Sequence, residues 1–158
     1  MSRIIIIFDS KSGNTAKMAE LIAEGIRAGN GEADVVNVKN ANVDLLPGYD
    51  GIVIGSPVYF GQPTSAIKEL IDKSIRYFKK LDGKVGGAFS SSGGIGGGNE
   101  TTIRSILDAL LIHGMIVKGF VNGGHYGPVS IGTPDTRVEN ECREYGMMLA
   151  ALCGKMIS

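Results

Sequence analysis

The sequence predicts an α/β fold: three α/β/α layers around a five-stranded parallel sheet in the order 2-1-3-4-5, with residues 1–158 forming one domain. Three observations predict it. The strand candidates are continuous apolar runs such as Ile4–Ile7, as expected for strands covered on both faces. These runs alternate with stretches whose apolar residues recur at helical spacing. Right-handed connections leave few strand orders, and 2-1-3-4-5 brings the three least ordinary segments of the chain to one edge of the sheet.

Taken in order, the first strand is expected near residues 3–8, where the isoleucine run ends at Phe8. Thr15, Met18, Ala19, Ile22 and Ile26 then share one stripe, giving a helix near 14–28. Strands follow near 33–38 and 51–56. Between them, Ala41 to Asp50 contains Pro47 and Gly48 and has room for only a turn of helix. A helix near 64–79, a strand near 84–90, a helix near 99–113 and a strand near 115–121 complete the sheet. The last helix is expected near 136–155, on a stripe of Val138, Cys142, Tyr145, Leu149, Leu152 and Met156. Cys142 and Cys153 on that helix would stand ~16 Å apart, too far for a disulfide, and Cys142 is expected to be a packing residue.

Composition narrows the function classes. With 158 residues there is enough chain for one substantial core. Sixteen basic and sixteen acidic side chains cancel, so nothing electrostatic points to nucleic acid or an anionic membrane. No run is long enough to span a bilayer and no signal-peptide pattern opens the chain, so a cytoplasmic location is expected. Only His113 and His125 are available as imidazoles, and no metal site is expected. The 24 glycines cluster in loops without a repeat.

The first unusual segment is Ser10-Lys11-Ser12-Gly13-Asn14-Thr15, the turn from the first strand into the first helix. Unpaired amides and the positive end of the helix dipole converge on such a turn, which suits a phosphate. Its hydroxyls and Asn14 add donors, and Gly13 lets the backbone curl inward. The same residues also serve as ordinary helix caps. Asp9, whose charge is unfavourable beside a phosphate, is expected to point away. The second segment, Ser56-Pro57-Val58-Tyr59-Phe60-Gly61, puts two aromatics at the end of a buried strand, where they could stack on a flat heterocycle or pack under the next helix. The third runs from Ser90 through Ser91, Ser92, Gly93, Gly94, Ile95, Gly96, Gly97 and Gly98 to Asn99. So much glycine is entropically costly, which argues for close approach of the backbone to a ligand.

Several alternatives fail on residues. No Gly-Lys-Ser/Thr ends the third loop, so it is not a Walker loop. No Gly-x-Gly-x-x-Gly follows the first strand, and Asn37 stands where a ribose-binding acid belongs. A response-regulator receiver would need an aspartate ending strand three, where Gly55-Ser56-Pro57 stands. No serine has a base partner for nucleophilic hydrolysis. His113, before Gly114, first reads as a helix-end residue.

Together these segments resemble the flavodoxin-like FMN flavoproteins, over most of the chain. Gly55-Ser56-Pro57…Phe60-Gly61, Gly96-Gly97-Gly98-Asn99-Glu100-Thr101, His113-Gly114-Met115 and Gly123-Gly124…Tyr126-Gly127 are most similar to the WrbA branch of NAD(P)H:quinone oxidoreductases. The resemblance implies FMN as cofactor, its phosphate on Ser10, Lys11, Ser12, Gly13, Asn14 and Thr15. It sets the ring against Pro57, Val58, Tyr59, Phe60 and Gly61 on one side and Ser91, Ser92, Gly93, Gly94, Gly96, Gly97 and Gly98 on the other. It also implies His113 near the flavin, NAD(P)H as co-substrate, and either a small-molecule acceptor or a redox partner protein. The family's tetramer and shared active site use segments after strand two and before strand four that are shorter here, so a homo-oligomer is an open expectation. The chemistry would belong to the flavin, and a one-electron carrier is the alternative to the enzyme.

Overall fold

A computed structural model describes all 158 residues. Strands β1 (Arg3–Phe8), β2 (Glu32–Asn37), β3 (Gly51–Pro57) and β4 (Val85–Ser92) are parallel and ordered 2-1-3-4, as expected. Ile4, Ile6 and Ile7 of β1 are fully buried, and Ile5 nearly so. Odd and even residues go to opposite cores: Ile4 and Ile6 join the cluster under α1 (Asn14–Ala28) and α4 (Thr136–Ile157). Ile5 and Ile7 join the cluster under α2 (Ser65–Lys73) and α3 (Asn99–Ile112). A strand with a core on each face has no position for a polar residue, which is why the run does not alternate.

Helices α1 and α4 touch backbone to backbone. A Cβ at Gly25 would lie 2.0 Å from the Arg143 carbonyl oxygen, and one at Gly146 would lie 2.1 Å from that of Ile22. Both glycines are therefore required by space. Cys142 and Cys153 are buried and unpaired, and burial pushes both thiols up to about 12, which leaves them protonated and inert. Tyr145, also fully buried, is likewise pushed up to about 12, and its hydroxyl accepts from the Ala88 N–H.

Two expectations need correction. The 64–79 helix stops at Lys73 and tightens into a 3₁₀ turn over Ser74–Tyr77, where the Ser74 hydroxyl donates to the Ile71 carbonyl. The fifth strand, expected over 115–121, is split. β5 (Ile116–Val117) pairs with the start of β4, and β6 (Val129–Ile131) pairs with its end, at Ser90–Ser92. Lys118-Gly119 leads an excursion off the sheet that returns at Pro128, and Phe120 inserts into the α1/α4 core from it. Ala41–Asp50 holds only 3₁₀ turns, as expected. No helix is long and apolar enough to cross a membrane.

Candidate functional site

The strand registers bring the three unusual segments to one edge. Phe8 lies beside Gly55, Ser56 beside Ser90, and Pro57 beside Ser91. Hydrogen bonds then join the loops themselves: Asp9 N–H to the Gly55 carbonyl at 3.1 Å, Val58 N–H to the Ser91 carbonyl at 2.9 Å, and Thr15 Oγ1 with Ser91 Oγ at 2.8 Å.

In the first loop, Gly13 caps α1 in a left-handed conformation (φ 95°) without a side-chain cap bond. The Ser10 hydroxyl turns inward instead and accepts the Gly13 N–H at 3.1 Å. Asn14 and Thr15 N–H have no acceptor within the helix. Ser12 and Gly13 are exposed, and the buried Thr15 and Ser91 share one hydrogen bond, so one of their two hydroxyl protons remains to be donated. The arrangement is a hollow lined by neutral donors. Its nearest cation, Lys11, has its Nζ 3.7 Å from Asp9 Oδ2. Asp9 is buried, with its Oδ2 accepting from the Thr64 hydroxyl at 2.6 Å and its Oδ1 from the Ser10 N–H at 2.9 Å.

The second loop is a tight hairpin. Tyr59 and Gln62 pair through their backbones, and Phe60 and Gly61 both take positive φ (51° and 72°). That turn type projects the Phe60 ring entirely into solvent while Tyr59 stays about half exposed. The hairpin tip is fastened to α3: the Thr101 hydroxyl donates to the Gly61 carbonyl at 2.7 Å, and that of Ser105 to Gln62 Oε1.

The third loop ends on Gly98, again a left-handed helix cap without a side-chain bond (φ 99°). Its polar groups are consumed locally. Ser92 donates to Asn99 Oδ1 at 2.6 Å, Asn99 Nδ2 donates to Ser90 Oγ at 2.9 Å, and Gly97 N–H closes a turn on the Gly94 carbonyl. A Cβ at Gly98 would lie 2.8 Å from Gly61 Cα, so the second and third loops meet glycine to glycine. Pro57, Val58, Tyr59, Phe60 and Gly61 thus face Ser91, Ser92, Gly93, Gly94, Gly96, Gly97 and Gly98 beside the donor-lined hollow. One side is aromatic and the other bears backbone, the hydrogen-bonded hydroxyls of Ser91 and Ser92, and the exposed Ile95.

His113 is not brought to this place. α3 starts at the carboxyl end of β4 and runs back along it for 14 residues, about 21 Å. His113–Gly114 therefore sits beside Gly83 and Lys84, before β4 begins: Gly83 N–H donates to the Gly114 carbonyl, and Ile116 N–H to that of Lys84. His113 Nε2 pairs with the Ser74 hydroxyl at 2.8 Å, and burial lowers its pKa from 6.5. Within this chain the helix-end reading is the one the geometry favours. His125 is exposed, with Nδ1 3.1 Å from the Phe120 carbonyl.

Sequence reasoning missed Thr64, Thr101 and the side chains of Ser56 and Asn99. Thr64 and Asn99 stand at helix starts, where their types read as simple caps. A concavity of about 480 Å³ lies between the Val38–Gly48 turns and α2. Its Lys73 and Arg76 pair with Glu69 and Asp44, while Lys39, also in its lining, makes no ion pair. No group of His, Cys, Asp and Glu has metal-binding geometry.

The Flavodoxin family model matches residues 6–112. A "Flavodoxin" of Aquifex aeolicus is 39% identical over 95% of this chain and 86% of its own length. An "NAD(P)H dehydrogenase (quinone)" of Archaeoglobus fulgidus is 33% identical over 100% of this chain and 96% of its own length. The crystal structure of a "flavodoxin, WrbA-like protein" of Agrobacterium tumefaciens superposes with a TM-score of 0.84 at 24% identity, covering 98% of this chain and 99% of that one. The chain belongs to the flavodoxin family.

Proposed function

We propose that this member of the flavodoxin family binds FMN through the three loops and passes electrons from NAD(P)H through it to a quinone-like acceptor. The observation that carries this reading is the asymmetry of the two ring-side loops. FMN supplies hydride acceptance and stepwise electron transfer when bound; the residues supply position. Asn14 and Thr15 N–H, the hydroxyl of Ser12 and the shared proton of Thr15 and Ser91 fit the phosphate, and the α1 dipole adds to them. Tyr59 and the Phe60 hairpin offer an aromatic surface to one part of the ring. Ser91–Gly98 offers no aromatic lid, only backbone, serine hydroxyls and the exposed Ile95, so the ring keeps a face on which a planar nicotinamide or quinone could stack. No protein nucleophile is needed.

The runner-up is a one-electron carrier between redox proteins. The Aquifex relative's name supports it, as does the full exposure of Phe60, which suits contact with a partner protein. One experiment separates the two. FMN-loaded protein mixed anaerobically with NADH or NADPH and a benzoquinone is expected to oxidise the nicotinamide steadily. No oxidation with FMN intact, together with a stable one-electron plateau in a reductive titration, would replace the enzyme by the carrier.

A further inference from the structure

Thr64 stands at the N-cap of α2 in extended backbone (φ −61°, ψ 159°), where a threonine hydroxyl ordinarily accepts an N–H from its own helix. It makes no such cap bond. Its hydroxyl instead donates to Asp9 Oδ2 at 2.6 Å, across 55 residues of sequence, with both side chains buried. Its N–H donates to Ser56 Oγ at 3.0 Å, and the Ser56 hydroxyl donates to the Pro57 carbonyl at 2.8 Å. So Ser56 and Thr64 close the base of the aromatic loop, and Asp9 holds that closed base. On its other side the same carboxylate accepts the Ser10 N–H at 2.9 Å, at the root of the anion hollow, and lies 3.7 Å from Lys11 Nζ. A buried carboxylate with this many partners is expensive to desolvate, and removing any partner leaves charge uncompensated. The arrangement ties two loops that have no other side-chain contact of this depth.

We infer that Asp9 and Thr64 are positioning residues that fix the distance between the phosphate hollow and the aromatic loop. They act on FMN as a whole rather than on either of its ends. This rests on the FMN reading above. A ligand that engages both loops gains from their fixed separation as any bivalent ligand does; a ligand engaging only one loop does not. The latch therefore discriminates FMN from riboflavin and from inorganic phosphate by their simultaneous fit, with no direct contact to any of them.

The test compares wild type, Thr64→Val, which keeps the shape and removes the donor, and Thr64→Ser, which restores it. Affinities for FMN and riboflavin are read by flavin fluorescence quenching, that for inorganic phosphate by calorimetry, and melting is followed in parallel. Thr64→Val is expected to lose about tenfold in FMN affinity while riboflavin and phosphate each stay within about twofold, and Thr64→Ser is expected to recover. Asp9→Asn probes the contact from its other side and is expected to give the same pattern. Equal losses for all three probes, or an unchanged FMN affinity, would overturn the latch while leaving the FMN site standing. A wild type that takes up no FMN would overturn both.

Discussion

The starts of α1 and α3 are locally alike: each follows a buried parallel strand, and each is headed by a left-handed glycine with no side-chain cap, Gly13 (φ 95°) and Gly98 (φ 99°). Their surroundings make them different devices. Around Gly13 the donors are left available; a Cβ there would meet nothing within 4 Å, and Ser12 is open to solvent. Around Gly98, Ser90, Ser92, Asn99 and Thr101 satisfy one another and the neighbouring hairpin, and a Cβ would strike Gly61. The first start is a hollow with donors left unspent; the second is a wall that holds two loops together. A strand-to-helix turn becomes a binding site only where the rest of the fold leaves its donors unspent.

The contrast can be broken most severely at the wall. Gly98→Ala adds left-handed strain to an overlap with Gly61 backbone, which no rotamer can relieve, and is expected to cost about 3 kcal/mol in thermal or denaturant unfolding. Gly13→Ala meets the strain without the overlap and should cost about 1 kcal/mol. Equal costs would mean that the two caps are equivalent after all.

Ligand selectivity is the next largest effect. Ser12→Ala combined with Thr15→Ala should weaken FMN by about 2 kcal/mol more than riboflavin, since hydrogen bonds to a charged phosphate are lost and the ring loops are untouched. Equal losses of the two flavins in a fluorescence titration would move the phosphate away from α1.

The smallest effect sharpens the contrast from the far end of α3. The pKa of His113 is lowered by burial, so the unfolded chain binds its proton more readily than the folded one. That contribution to stability is present above pH 6.5 and is lost as pH falls below it towards the folded value. His113→Gln should flatten the decline of melting temperature below pH 6.5 and leave FMN affinity unchanged. A fall in FMN affinity would bring His113 back to the flavin, through contact with another subunit.

What could be read from residue order follows where local chemistry and global fold coincide. The isoleucine run, the stripe of α1 and the glycine loops gave the sheet order and the three segments at its carboxyl edge, because burial on two faces and close backbone approach each leave a pattern in the residues themselves. The split of the fifth strand did not show, since Ile116–Val117 and Val129–Ile131 are too short to carry a period. The end of α2 was misread because Ile71, Ile75 and Phe78 continue a helical stripe past the Ser74 turn, leaving Ile75 and Phe78 exposed.

Sequence by itself determined that this chain forms a doubly covered parallel sheet with a glycine- and hydroxyl-rich turn after its first strand, since both follow from residue types at short range. Only the tertiary structure decided which helix start keeps its donors, that Thr64 serves Asp9 instead of its own helix, and that His113 lies a helix length from the loops. Each of those depends on contacts between residues tens of positions apart, and hydrogen-bonding groups are claimed in space by whichever partner the fold brings within 3 Å.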